Sequence, residues 1–441
     1  MTAPGARLPL TASRAVSTFG VALLGLMTAN LVPLMILALV GGPGMSATSA
    51  GLTMTGCLLA TAAVSLATAR LTEGRGRYLV ARVGLLVAAA GFAVAALAPS
   101  APIAVVGILL AGAGCGGAAS ASGAALAALR DPDRMAGING LVNRGIVTLV
   151  LLIIPALGGG MPSAFGVPAL LALLAFLTVP MLPPAPAQAA AGTTSREATR
   201  PRVNADAAPA TAGTTSSLAS RAASRRANLA GLALLLCFGL WALGEDSLWA
   251  MAGAMGADQA GITDAQMGMV LSASTAGGLL ASLALIWVGR RLGRAVPLAV
   301  LLLLGGVLKV LSGQIDDPGL YLATIIAWNT TYSAAFMYVV STAAGLDSSG
   351  RWNAPLLGAY LVGSSFAPVF GAALSEHLGY AGMGWVLGLF SFALLVPVTL
   401  IARRSSQIEA AEERAAQATG GEPPARGAGA GAPVAATQHT D

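Results

Sequence analysis

The residues of this chain that could do chemistry are few, and they stand where charge is expensive. Glu245 and Asp246 are adjacent in one apolar run, between Trp241 and Trp249, and Arg144 lies in another, beside Asn139 and Asn143. An ionised group in such a run costs on the order of 2.5–3.5 kcal/mol at a bilayer centre unless it meets a partner or a wet cavity. Arg144 lies beyond Arg134 by roughly 15 Å of helix, at ~1.5 Å per residue, too deep to reach water easily. Three uses are open to it: binding an anionic or polar ligand, pairing with an acid across a cavity, or donating to backbone carbonyls of a neighbouring helix. Neighbours on a helix point about 100° apart, so at most one of Glu245 and Asp246 faces the centre of any cavity. They sit near an interface if their helix stops at Met251, and roughly 14–16 Å deep if it runs to Met255. Lys309, the one lysine among 24 basic residues, is expected to snorkel to the interface from the end of its span.

Enzymatic constellations are missing. The histidines are His377, between apolar runs, and His439, near the C-terminus, so neither a nucleophile–base pair nor a metal set is assembled. Cys57, Cys115 and Cys237 lie in separate apolar runs, with neither a disulfide framework nor metal-ligand spacing. No Gly-rich phosphate loop with its lysine occurs, which argues against direct ATP coupling. No catalytic residue, cofactor or metal is expected.

The elements that must hold these residues follow from composition. Hydrophobic residues make up 56% of the 441, charged residues only 10%, and the mean hydropathy is +0.77, so the bilayer is the solvent. Runs long enough to cross it as helices occur at 17–40, 48–70, 78–98, 102–129, 136–159, 164–182, 228–252, 265–288, 295–313, 319–344, 353–374 and 380–402. These continuously apolar runs are too long for barrel strands. The fold class is therefore an all-α integral membrane protein with twelve transmembrane helices. Gly112, Gly114, Gly116, Gly117 and Gly123 in the fourth span permit close helix packing.

Arginines fall in alternate turns, from Arg7 and Arg14 through Arg70–Arg82, Arg130, Arg134, Arg351 and Arg403–Arg426. The opposite turns hold Asp258, Asp264, Asp316, Asp317, Glu376 and His377, without Lys or Arg. By the positive-inside rule both termini and the central linker are cytoplasmic. The net charge of +6 is explained by this topology, and no nucleic-acid partner is expected. The Arg-, Ala- and Gly-rich usage looks like a GC-rich bacterial genome, which places the protein in a bacterial inner membrane. Residues 1–16 form the N-terminal segment, 17–182 and 228–402 two six-helix bundles, 183–227 a flexible linker poor in large apolar side chains, and 403–441 a disordered tail.

The bundles repeat: at an offset of 217, Gly51 aligns with Gly268, Ser65-Leu66-Ala67 with Ser282-Leu283-Ala284, and Gly76-Arg77 with Gly293-Arg294. Six plus six helices, a central linker and a Gly-Arg turn after the second and eighth spans resemble the major facilitator superfamily. There the turn reads Gly-x-x-x-Asp-Arg/Lys-x-Gly-Arg; here the copies are Ala69, Glu73, Gly74, Gly76, Arg77 and Ile286, Arg290, Arg291, Gly293, Arg294. The resemblance makes these turns cytoplasmic gate candidates, with Glu73 and Arg77 placed for acid–base contacts. It also implies that helices one, four, seven and ten line a cavity, bringing forward Asn30, Trp241, Asn329, Tyr332 and Tyr338, beside Asn143 and Arg144. Asn30 precedes Pro33, where a local break in the helix is open. Either Glu245 or Asp246 becomes a candidate proton carrier. Pro155, Gly158 and Gly159 resemble the end of the Gly-x-x-x-Gly-Pro-x-x-Gly-Gly element of proton-coupled drug antiporters, and Pro368 is a second helix-kink candidate.

The resemblance implies a monomeric secondary transporter working by alternating access, its partners the lipid bilayer, protons and a small-molecule substrate. Proton-coupled efflux of a small organic compound or drug is the first expectation, proton-coupled uptake of a sugar or organic acid the second. A transporter-like receptor that moves nothing is the reading of another class.

Overall fold

The computed structural model describes residues 8–72, 76–130, 132–184, 214–288, 293–346 and 353–418. The helices are α1 (Ala12–Gly41), α2 (Ala47–Thr72), α3 (Arg77–Ala96), α4 (Ala101–Ala127), α5 (Pro132–Ala156), α6 (Met161–Thr178) and, after a short 3-10 turn, α7 (Thr214–Ala260), α8 (Asp264–Val288), α9 (Ala295–Ser312) and α10 (Pro318–Leu346). The last run, Asn353–Ala418, is broken at Gly379, whose φ of 68° and ψ of 174° are not helical; 353–378 is α11 and 380–418 is α12. Among the described residues the only β-type pairing is a bridge from Leu8 to Leu129, which ties the N-terminal segment to the end of α4. Nine helical stretches among the described residues are long and apolar enough to cross a membrane, the last running through the break at Gly379. The chain is an all-helical, multi-pass membrane protein.

The largest departures from the expected boundaries are in α7 and α12, and α1 starts at Ala12, within the expected N-terminal segment. α7 starts at Thr214, inside the segment read as flexible linker, and continues to Ala260. α12 continues to Ala418, through residues read as disordered tail. Both extensions are rich in Ala, with Arg, Glu and Gln in the second, residues that prolong a helix already nucleated by its membrane span. Residues 185–213 and 419–441 lie outside the described set.

The surface is inverted relative to a soluble protein: Leu66, Leu97, Leu177 and Leu236 are each at least 69% exposed. Lipid, not water, satisfies them. Inside, small residues let backbones touch. Gly114 packs on Ala88 and Gly84 of α3, Gly112 on the carbonyl of Cys57 in α2, and Thr61 donates to the Gly112 carbonyl at 2.9 Å. Gly123, from the same sequence stripe, faces open space.

The packing of the first six helices recurs in the rest. α2 lies on α4 as α8 lies on α10, and α3 on α4 as α9 on α10. One hydrophobic core runs through the first half and continues into the second through Leu248, Met251, Met255, Met267, Leu271, Tyr321 and Ala372, all near one end of the molecule. At the other end, where the linker attaches, Leu234, Phe238, Leu298, Val339 and Val398 form a separate core within the second half. The halves are thus joined at the end away from the linker.

The glycine contacts set the spacing of α2, α3 and α4, so Gly112→Val is expected to lower the melting temperature of the detergent-solubilised protein by several degrees or to prevent folding, while Gly123→Ala leaves it unchanged. A thermal unfolding series checks both.

Candidate functional site

α7 presents its two carboxyls to two different surroundings. It runs from Thr214 to Ala260, which puts Glu245 roughly 22 Å from its far end at ~1.5 Å per residue, within the bundle and not at an interface. Glu245 is 2% exposed. Its Oε1 accepts from Lys309 Nζ at 2.5 Å and its Oε2 from Trp328 Nε1 at 2.7 Å. The ammonium also donates to Ser391 Oγ at 2.7 Å. α7, α9, α10 and α12 therefore meet at one satisfied buried ion pair.

Lys309 does not snorkel. A helical side chain leans toward its helix N-terminus; for α9 that end lies on the linker side, so the ammonium is aimed into the bundle. Trp328 and Ser391 were also missed, since neither charge nor motif marks them.

Asp246 faces the other way. Its Oδ2 accepts from the Tyr360 hydroxyl at 3.0 Å, and Ser364 lies beside the same carboxyl. Tyr360 and Tyr332 are 2.6 Å apart, oxygen to oxygen. With the single Tyr360 proton committed to Asp246, Tyr332 is the donor in that contact. Aromatic rings wall the chain: Trp241 stacks on Tyr332 with centroids 5.2 Å apart, and Phe336 meets Tyr360 edge-on at 5.3 Å. Phe238 stacks on Trp241 at 5.6 Å.

The first half contributes Arg144. From α5 its Nη1 donates to Ser333 Oγ of α10 at 3.3 Å, next to Tyr332. Gly278 of α8 makes the room; a Cβ there would stand 2.7 Å from that nitrogen. Among the described residues Arg144 has no carboxylate within ion-pair distance. A guanidinium with one long hydroxyl contact, at the meeting of the two halves, can accept an anion bidentately. Nearby on α5, Asn143 is 7% exposed and its Nδ2 has no hydrogen-bond partner among the described residues; Asn139 Oδ1 is likewise unpartnered.

Other expected site residues fall elsewhere. Asn30 donates to the Leu26 carbonyl of its own helix at 2.8 Å, and α1 passes through Pro33 without the break that was open there. Asn329 is buried beside Trp328 on α10, and Tyr338 packs in the linker-end core, against which Tyr332 and Tyr360 also pack. Pro155 lies in the last turn of α5, against Gly268 of α8, and left-handed Gly158 and Gly159, with φ of 105° and 66°, follow the helix end. That element ends α5 instead of kinking it. Pro368 lies inside α11, its carbonyl against Gly51 of α2.

Two of the gate candidates have described partners within their own halves. Arg77 is 2% exposed; its Nε donates to the Thr72 carbonyl at 3.1 Å and its Nη1 to the Pro183 carbonyl at 2.7 Å, beyond α6. Arg294, its repeat mate, donates to Ser341 at 2.9 Å and to Ser405 of α12 at 3.1 Å. Each arginine ties the third helix of its half to the sixth. Gly76 and Gly293 sit at the starts of α3 and α9; Glu73, Arg290 and Arg291 lie outside the described residues.

A family model described as the Major Facilitator Superfamily matches residues 17–351. No curated protein matches the sequence. Among solved structures the chain is similar to a peptide transporter POT in complex with sulfate, with a TM-score of 0.64, 13% identity, and coverage of 91% of this chain and 98% of that one. It is similar to a bacterial homologue of the human drug peptide transporters PepT1 and PepT2 (TM-score 0.61, 15% identity, coverage 90% and 98%). An auto inhibited POT family peptide transporter gives 0.63, 15%, 89% and 97%. At such identities the shared property is the fold.

Breaking a buried pair strands a charge, typically at a cost of about 3–5 kcal/mol, whereas replacing both partners need not. Lys309→Met and Glu245→Gln are each expected to destabilise the protein severely, and the double variant to recover much of the loss. Chemical denaturation of the four proteins in detergent measures this; a double variant as unstable as the sum of the singles would show that the pair is not coupled.

Proposed function

The chain belongs to the major facilitator superfamily, and from that premise we propose that it is a proton-coupled secondary transporter of a small organic solute bearing an anionic group. Its twelve spans cross a bacterial inner membrane, with termini and linker in the cytoplasm, and its two halves rock to open the site to each side in turn. The observation that carries the substrate class is Arg144, a guanidinium at the meeting of the halves whose hydrogen-bond partner among the described residues is a hydroxyl at 3.3 Å. The rings of Trp241, Tyr332, Phe336 and Tyr360 suit the organic body of the solute.

Asp246 is the proton carrier in this reading. Glu245 is held as the counter-ion of Lys309, while the partners of Asp246 are hydroxyls, which can stay in place whether the carboxyl is charged or neutral. Charge balance favours symport. With solute anion on Arg144 and a proton on Asp246 the site is neutral; empty, with Arg144 cationic and Asp246 anionic, it is neutral again. Antiport of an anion against a proton would carry a net charge through the apolar interior in each direction, an expensive step. The inward proton gradient then makes the direction uptake. Efflux, the first expectation, rested on Pro155, Gly158 and Gly159, whose positions favour no direction. The solved neighbours named peptide transporters support including short peptides, which carry a carboxylate, among the substrates to try.

Proteoliposomes with an internal pH-sensitive dye test the proposal against organic acids, amino acids, short peptides, sugars and cationic drugs. Solutes with a carboxylate are expected to bring protons in with them. Arg144→Ala is expected to lower kcat/KM by about 100-fold, the size of losing one desolvated charge contact. Asp246→Asn is expected to abolish solute-driven proton movement while solute still binds. Proton exit driven by cationic drugs, unaffected by Arg144→Ala, would overturn the assignment in favour of efflux; binding without flux for every compound would favour a receptor.

A further inference from the structure

The joint between the halves is built twice, once on each side. On one side Gly51 of α2 approaches the Pro368 carbonyl of α11, and a Cβ there would lie 2.5 Å from that oxygen. On the other, Gly268 of α8 approaches the Leu151 carbonyl of α5, at 2.9 Å by the same measure. Both partners are related by the 217-residue repeat offset, as are the hydroxyls just below: Thr55 accepts from the Val369 amide at 3.2 Å, and Ser272 donates to the Thr148 carbonyl at 2.8 Å.

The symmetry fails one turn further out. α8 caps itself: the Thr263 amide donates to Gln266 Oε1 at 3.0 Å, and the Gln266 amide donates to Thr263 Oγ1 at 3.4 Å. At the start of α2, Ser46 stands at the place of Thr263 and caps only the Ser49 amide, at 3.1 Å. The Thr48 amide instead donates to Glu376 Oε1 of α11, in the opposite half, at 2.8 Å. Glu376 lies immediately beyond the Gly51 contact, and its repeat position in the first half is Gly159, which can offer no such group.

We propose that Glu376 is a one-sided lock on the closed far face. It completes the cap of α2 only while the halves are together at that end, and the far side opens by withdrawing it from the α2 N-terminus. A carboxylate on the unpaired amides of a helix start is favoured by both the hydrogen bond and the helix dipole. Its neighbour on the same helix is His377, and the far-end turns contain no Lys or Arg that could hold the carboxylate instead. The opened state therefore leaves both Glu376 and the Thr48 amide to water, which biases the resting molecule toward closure at that face. The lock rests on the alternating access proposed above.

The test uses the full chain in nanodiscs without solute, with Cys237→Ala and spin labels at Leu97→Cys and Asp316→Cys, exposed far-end positions in the two halves. The parent is expected to show one short distance. Glu376→Ala removes the acceptor and is expected to move the open-to-closed ratio about fivefold toward a longer distance, the effect of losing one cap. Glu376→Gln keeps an amide oxygen in the same place and is expected to restore most of the short population; His377→Ala should leave it unaltered. An unchanged distance distribution in Glu376→Ala, with the fold intact by thermal unfolding, would overturn the lock even if solute transport proceeds. A shifted distribution in a protein that moves no solute would sustain the lock and remove the transport reading.

Discussion

A charge in an apolar helix bundle is expensive without a partner, and that constraint organises the second half. Glu245 is ionic because Lys309, Trp328 and Ser391 answer both its oxygens and the ammonium. Four helices must keep their register for those contacts to close. Fixing Glu245 also fixes Asp246, which a helix turns about 100° away, toward the tyrosines and Arg144. One buried pair thus positions the residue that the proposed mechanism needs exposed to the site.

The first half solves the same packing problem without charge. The repeat positions of Glu245, Lys309 and Trp328 are Thr28, Phe92 and Ala111, all buried. Where the second half closes around an ion pair, the first closes through glycine and alanine contacts between α2, α3 and α4. Duplication kept the backbone plan and let the interiors diverge. The polar chemistry lies mostly in the second half, with Arg144 the cation that the first half supplies. A solute held between Arg144 and the aromatic wall would touch both halves, as coupling of binding to rocking requires.

Similarity in fold to solved peptide transporters at 13–15% identity is consistent with that division. Helix packing in lipid tolerates almost any exchange of apolar side chains that keeps small residues at close crossings. A site does not, so its chemistry has to be read from its own residues. Arg77 and Arg294 illustrate the difference. Their repeated Gly-Arg sequence marks the turns correctly, and each guanidinium reaches within its own half, where it pins the third helix to the sixth.

The sequence by itself determined what depends on the chain's own neighbourhood. Long apolar runs have only one way to satisfy their backbone in lipid, so the spans could be placed within about five residues, apart from the extensions of α7 and α12, and the match of Gly51 with Gly268 marked the two halves as repeats. The Glu245–Asp246 pair and Arg144 stood out because charge in such runs demands a reason. Tertiary structure decided every matter of partnership. Lys309, three residues from the end of α9, read as a surface group until α7 and α12 covered it, and Tyr360 and Trp328 gained meaning only from the carboxyls they meet. Hydropathy registers how far a residue must be from water; which helix stands opposite it is set by packing across separations of 28 to 189 residues in this site, and no local pattern carries that information.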